Sequence, residues 1–214
     1  MLLVLDTSGP SLGVGLFDPQ GVPVGERRQI VGRGHAETLL PAIRTLMDET
    51  GSKPADLSRI AVVAGPGSFM GLRVGLAASR AMALALGIEA VGVSRTRALA
   101  RGHGAIEIVL DARRGAVFRE AFSEAGEPIA DPSGRSLEAL PVGEYRSNAV
   151  RWGGSGARLA GMDEKHIAFD DDTPTLRHVA ALARIAPLPP VPVYGRGADA
   201  KPQQAPIIGA ATGC

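Results

Sequence analysis

The chain has 214 residues, 45% of them hydrophobic, which suits one domain or two small lobes around a buried core and excludes wholesale disorder. Its 23 Lys and Arg against 22 Asp and Glu leave a formal charge of +1, without the strongly basic surface of a stand-alone nucleic-acid binder. The single cysteine, Cys214, excludes a disulfide framework and a cysteine metal site, and points to the reducing cytoplasm. The first residues lack a basic region and a cleavage site, so they read as a strand rather than a signal peptide. No apolar run reads as long enough to span a bilayer, and no membrane contact is expected.

Residues 2–5 are continuously apolar, as a central strand requires. Asp6-Thr7-Ser8-Gly9-Pro10 turns the chain into a second strand, 12–17, and Asp18-Pro19-Gln20-Gly21 into a third, 22–31. After a break at 32–35, Ala36, Leu39, Leu40, Ile43, Leu46 and Met47 recur at helical spacing, and Gly51 ends that helix. Pro41 is tolerated only close to the helix start. A loop at 53–57 leads to a strand at 59–64. That strand feeds Gly65-Pro66-Gly67-Ser68-Phe69-Met70-Gly71-Leu72-Arg73-Val74-Gly75, the most distinctive stretch of the chain.

A glycine-rich turn from strand to helix suggests phosphate cradling, but neither phosphate fingerprint fits. Counting from Gly65, Met70 stands where the second P-loop glycine belongs, and Gly67 to Gly71 is one residue short. The third glycine of the dinucleotide pattern arrives one residue late. In the following helix, 72–86, Gly71, Gly75, Ser79 and Ala83 share one face, which calls for close approach of another backbone. Packing on the chain's own sheet and contact with a partner helix account for this equally well. Gly87 stops the helix, 89–93 is a strand, and Ser94-Arg95-Thr96 caps a short helix to Arg101.

Glu107-Ile108-Val109-Leu110-Asp111 then echoes Leu2-Leu3-Val4-Leu5-Asp6, and Arg113-Arg114-Gly115 leads into a strand at 116–122. A repeated strand, Asp, turn and strand indicates a duplicated lobe. Two such units resemble the α/β actin-like, Hsp70-like (ASKHA) fold, with mixed sheets flanked by helices and Asp-ended hairpins facing across a nucleotide cleft. The second lobe is reduced. Residues 131–135 read as loop, 150–156 as a strand and glycine turn at the place where that fold meets an adenine ring, and 175–185 as a helix. The expected division is an N-terminal lobe at 1–103, a C-terminal lobe at 104–194 and a flexible tail at 195–214.

Asp6 and Asp111 have the chemistry to position a magnesium nucleotide, although an Asp at such a turn commonly just caps backbone N–H groups. Asp6, Thr7, Ser8, Gly67, Ser68, Asp111 and Arg113 form the candidate degenerate nucleotide or anion site, with the N–H groups of Gly67 and Ser68 as its anion donors. Arg113 and Arg114 stand where nucleotide-hydrolysing members of that fold carry glycines. The histidines, His35, His103, His166 and His178, lack one-turn metal spacing, and no serine has an identifiable base.

Val4-Leu5-Asp6-Thr7-Ser8, His35 with Leu39-Leu40-Pro41, the 65–75 motif, Gly92-Val93-Ser94, Leu110-Asp111-Ala112-Arg113 with Gly115, and Pro192-Val193-Tyr194 occur in this order. Together they resemble the TsaB (YeaZ) family of bacterial tRNA-modification proteins, most densely over residues 1–122. The resemblance implies an actin-like fold without catalysis, metal site or cofactor of its own. It implies a TsaD-like catalytic subunit as partner, with ATP or ADP and a metal in that subunit or at the interface, and a TsaE-like ATPase. That machinery transfers threonylcarbamoyl to the N6 of an adenosine beside the tRNA anticodon, and tRNA is met only through the complex. The family pairs through its first two helices, here 37–50 and 72–86, which nominates Leu39, Ile43, Leu46, Met47, Gly71, Leu72, Gly75, Ser79, Arg80 and Met82 as the interface. The same surface can pair two copies of the chain, and a bulky residue at Gly75 is expected to block association and leave the monomer folded. Two rival readings are an ATP-dependent kinase or ATPase using Asp6 and Asp111, and a glycoprotease-like peptidase, against which the histidine spacing stands. Met70 replaces a family Thr, leaving Ser68 or water to cap the helix, and Gly195 replaces a Leu.

Overall fold

Strand β1 (Leu2–Asp6) is buried along its whole length at the centre of a five-stranded sheet. The computed structural model describes residues 1–32, 34–131 and 134–194. β1 pairs antiparallel with β2 (Ser11–Phe17), which pairs antiparallel with β3 (Pro23–Ile30). On its other side β1 runs parallel to β4 (Arg59–Gly65), and β4 to β5 (Glu89–Ser94). The order is β3-β2-β1-β4-β5.

The continuous apolar runs follow from burial on both faces. Leu3, Leu5, Ile60 and Val62 pack with helices α1 (His35–Thr50) and α2 (Phe69–Leu86). Leu2, Val4, Ala61 and Val63 point the other way, against Ala98 of α3 (Arg95–Ala100).

Both long helices start earlier than their apolar spacing indicates. α1 begins at His35, so Pro41 lies inside it and one helical N–H is missing there. α2 begins at Phe69 because the Ser68 hydroxyl accepts the Gly71 N–H at 3.3 Å, three residues before the expected start at Leu72. Ser68 thus supplies the cap that Met70 cannot. Gly51 and Gly87 close the helices in the left-handed region, at φ 64° and 66°. With 18 residues and a mean hydropathy of 1.4, α2 is long and apolar enough to cross a membrane, which corrects the expectation that no run is. Leu72, Leu76 and Ala83 instead seat it on the sheet.

The second sheet repeats the arrangement of the first with shorter outer strands. β6 (Ile106–Asp111) pairs antiparallel with β7 (Ala116–Phe122), as β1 does with β2. β8 (Pro128–Ile129) and β9 (Glu138–Pro141) continue beyond β7. β10 (Trp152–Gly153) is parallel to β6, and β11 (Ile167–Phe169) to β10. The short helix α4 (Gly156–Leu159) packs on β6.

The last helix corrects the expected division of the chain. α5 (Leu176–Ile185) places Leu176, Val179, Ala180, Leu182 and Ala183 against the first sheet. An amphipathic helix needs an uncovered apolar face, and the first sheet has one beside α3. The second lobe therefore ends before α5. Leu188 then bridges Gly92 at 2.8 and 2.9 Å, and the Val193 N–H donates to the Ala64 carbonyl at 2.8 Å. The expected tail and Gly195 lie outside the described residues.

Candidate functional site

Asp6 ends β1 with its side chain almost fully buried. One carboxylate oxygen accepts the Ser8 N–H at 3.0 Å and the Ser8 hydroxyl at 2.7 Å. The other receives the Arg28 guanidinium at 3.0 Å. Arg28, from β3, also donates to Ser11 Oγ at 3.1 Å and to the Pro174 carbonyl at 2.9 Å. Thr7 Oγ1 donates to the Gly71 carbonyl at 2.8 Å. The Ser68 N–H donates to the Ser8 carbonyl at 2.8 Å, and Gly67 lies against the same carbonyl with no room for a Cβ. This corrects the anion expectation for Ser68: its N–H is spent inside the chain.

The matching Asp111, at the end of β6, accepts the Arg113 N–H at 2.6 Å and pairs with its guanidinium at 3.1 Å. Arg113 and Arg114 both hold left-handed backbone, φ 64° and 54°, where glycine is the easier residue. The Asp111 N–H donates to Ser155 Oγ at 3.3 Å. Ser155 in turn donates its N–H and hydroxyl to the Asp172 carboxylate at 2.7 and 2.6 Å. The Asp172 carbonyl accepts Arg95 Nε at 2.9 Å, and Arg95 Nη1 reaches the Pro66 carbonyl at 3.2 Å.

The structure thus gathers Asp6, Thr7, Ser8, Gly67 and Ser68 at one point. Asp111 and Arg113 sit on the other lobe, joined to it through Ser155, Asp172 and Arg95. A magnesium ion does not fit at Asp6, because Arg28 holds one carboxylate oxygen and Ser8 the other, and the Ser68 N–H is already committed. Arg28, Arg95 and Asp172 carried no signal in the sequence. Among the described residues no three His, Cys, Asp or Glu side chains converge as metal ligands. A hollow of about 150 Å3 between α1 and β3, lined by Leu12, Gln29 and Pro41 among others, lies apart from both aspartates.

The helix pair holds the second candidate surface, and here the structure corrects most of the nominated residues. Leu39, Ile43, Leu46, Met47, Gly71, Leu72, Gly75 and Ser79 are buried inside this chain. A Cβ on Gly71 would meet the Thr7 carbonyl, and one on Gly75 would meet Thr7 Oγ1 and come within 3.2 Å of Val62 Cγ2. The glycines let α2 press onto its own β1 turn, so a bulky residue at Gly75 strikes the fold before any interface. Of the nominated residues, Arg80 is exposed and Met82 half-buried.

The outward face of α2 is a different stripe. Met70, Arg73, Ala77, Arg80, Ala81 and Leu84 are exposed along it, Met70 by 65% and Leu84 by 85%. Leu40 of α1 is 57% exposed. At the start of α2, Arg73 lies 3.7 Å over the Phe69 ring, which meets the Tyr194 ring at 5.3 Å. Arg73 Nε donates to the Tyr194 hydroxyl at 3.2 Å. The 3.6-residue period of Met70, Arg73, Ala77, Ala81 and Leu84 was the available signal for this stripe.

A family model described as "TsaD: tRNA N6-adenosine threonylcarbamoyltransferase" matches residues 27–140. The solved structure "YeaZ from Pseudomonas aeruginosa" superposes with a TM-score of 0.75 at 28% identity, over 90% of this chain and 98% of that one. The chain belongs to the TsaB (YeaZ) family. The expected actin-like fold, with two mixed sheets and a reduced second lobe, is the fold of this family member. An uncharacterized protein of Mycobacterium tuberculosis is 30% identical over 94% of both chains. The "tRNA threonylcarbamoyladenosine biosynthesis protein TsaB" of Bacillus subtilis is 34% identical over 55% of this chain and 52% of its own. That match covers about half of each protein.

Proposed function

We propose that this chain is a non-catalytic cytoplasmic subunit of the machinery that makes threonylcarbamoyladenosine in tRNA. It acts by binding and activating a TsaD-like catalytic subunit, together with a TsaE-like ATPase. Nucleotide and metal belong to that subunit or to the joint interface, and tRNA is met through the complex. One observation carries this reading: α2 leaves Met70, Ala77, Ala81 and Leu84 exposed in a line while its small residues are already covered by the chain itself. An exposed apolar line rimmed by Arg73 and Arg80 is the composition of a protein-docking face. The same face can pair two copies when the partner is absent. The kinase or ATPase alternative finds no support in the carboxylate geometry, since Asp6 is neutralised by Arg28.

The test is reconstitution. A TsaD-like and a TsaE-like protein, ATP, threonine, bicarbonate, a purified threonylcarbamoyl-adenylate synthase and unmodified tRNA are incubated with and without this chain, and the tRNA nucleosides are analysed by mass. The modified adenosine is expected only with the chain present. Equal modification in its absence would overturn the proposal.

A further inference from the structure

An actin-like fold ordinarily bridges its two lobes with a nucleotide and metal, yet here protein side chains span the cleft. We propose that Arg28 and Arg95 are built-in ligands of this cleft, which hold the lobes in one closed arrangement and exclude a metal nucleotide. The inference rests on the fold and the cleft alone and stands whether or not a partner docks on α2.

Arg28 and Arg95 both reach the segment by which the chain returns from the second lobe. Arg28 bonds the Pro174 carbonyl and Arg95 the Asp172 carbonyl. Their other ends hold the first lobe, at Asp6 and Ser11 for Arg28 and at Pro66 for Arg95. The Asp172 side chain completes the bridge through Ser155, which accepts the N–H of Asp111 in the second lobe. A continuous polar chain therefore runs from the glycine motif to the second Asp-ended hairpin.

Three features make this a closed cleft rather than a vacant one. Arg95 is only 6% exposed, so its charge has no water to retreat to. A divalent cation requires the Asp6 oxygen that Arg28 holds at 3.0 Å, and the guanidinium repels it there. Of the N–H groups that could meet phosphate oxygens, those of Ser8, Ser68 and Ser155 instead donate to Asp6, to the Ser8 carbonyl and to Asp172. Arg28 thus stands in charge and place for the cation.

Amide hydrogen exchange on the full chain reads the latch, and equilibrium dialysis with magnesium ATP reads the exclusion. In Arg95→Gln, exchange at Ser155, whose N–H is held by Asp172, is expected to rise at least tenfold, while the amides of β1 keep their protection. The wild-type chain is expected to retain no magnesium ATP at millimolar concentration. Arg28→Ala leaves the buried Asp6 carboxylate without its counter-ion, so the paired change Asp6→Asn with Arg28→Met is measured as well. It removes both charges, and exchange at His178 and Val179, which donate to the Thr175 carbonyl beside Pro174, is expected to rise in it. Unchanged exchange around Ser155 in Arg95→Gln, or stoichiometric magnesium ATP on the wild-type chain, would overturn the inference.

Discussion

Replacing Gly75 with alanine tests the packing of α2 most sharply. Alanine suits a helix interior, and on propensity alone the change stabilises by about 1 kcal/mol. The added methyl, however, points at Thr7 Oγ1 and lies 3.2 Å from Val62 Cγ2. Overpacking of this kind costs about 1–3 kcal/mol. The Thr7 hydroxyl is held by its 2.8 Å bond to the Gly71 carbonyl, and displacing it forfeits about 1 kcal/mol more. The net expectation is destabilisation by about 1–3 kcal/mol, or a fall in Tm of roughly 3–10 °C for a chain of this size. Thermal unfolding followed by circular dichroism measures it. Combining the change with Thr7→Ala removes the obstructing oxygen, and Gly75→Ala is then expected to cost little or to stabilise. A Tm for Gly75→Ala at or above wild type, with Thr7 intact, would refute the account of why this helix carries glycine.

Gly92→Val should dislodge the terminal strap, because a Cβ there comes 2.6 Å from the Pro189 carbonyl; faster proteolytic cleavage between residues 186 and 194 is the readout. Arg114→Gly relieves a left-handed residue at φ 54° and should stabilise by about 0.5–1 kcal/mol, seen as a Tm rise of about 2–3 °C. Burial lowers the pKa of His103, with Arg151 and His178 acting in the same direction. The unfolded chain therefore takes up the proton first as the pH falls through the ordinary histidine value of about 6.5, and this contribution to stability is present above that value and lost below it. His103→Asn should flatten the fall in stability between about pH 7 and pH 5; an unaltered slope in urea titrations would contradict the assignment.

Much of the fold was legible because burial leaves a strong pattern. β1 is apolar over residues 2–5 and β4 over residues 60–64, which requires covers on both faces, and α1, α2, α3 and α5 provide them. The echo of residues 2–6 in 107–111 marked the duplication, and the two sheets carry it out. The destination of α5 was not legible, since an amphipathic stripe declares that a sheet is needed but not which one. The same ambiguity affected α2. Gly71 and Gly75 announce a close neighbour, and that neighbour proved to be Thr7 of the same chain. Arg28 and Arg95 carried no signal of their role because Pro174 and Asp172, which they hold, lie 146 and 77 residues away. Hydrogen bonds to backbone carbonyls so far along the chain leave no periodicity to find.

Leu84→Asp tests whether the outer face of α2 docks a TsaD-like subunit. Leu84 is 85% exposed, so the change should leave stability within about 0.5 kcal/mol. The wild-type chain and the variant are each mixed with the TsaD-like protein of the same organism and followed by sedimentation velocity. A heterocomplex is expected with wild type and none, or at least tenfold weaker association, with Leu84→Asp at an unchanged Tm. A complex of equal affinity with both chains, or none with either, would contradict it.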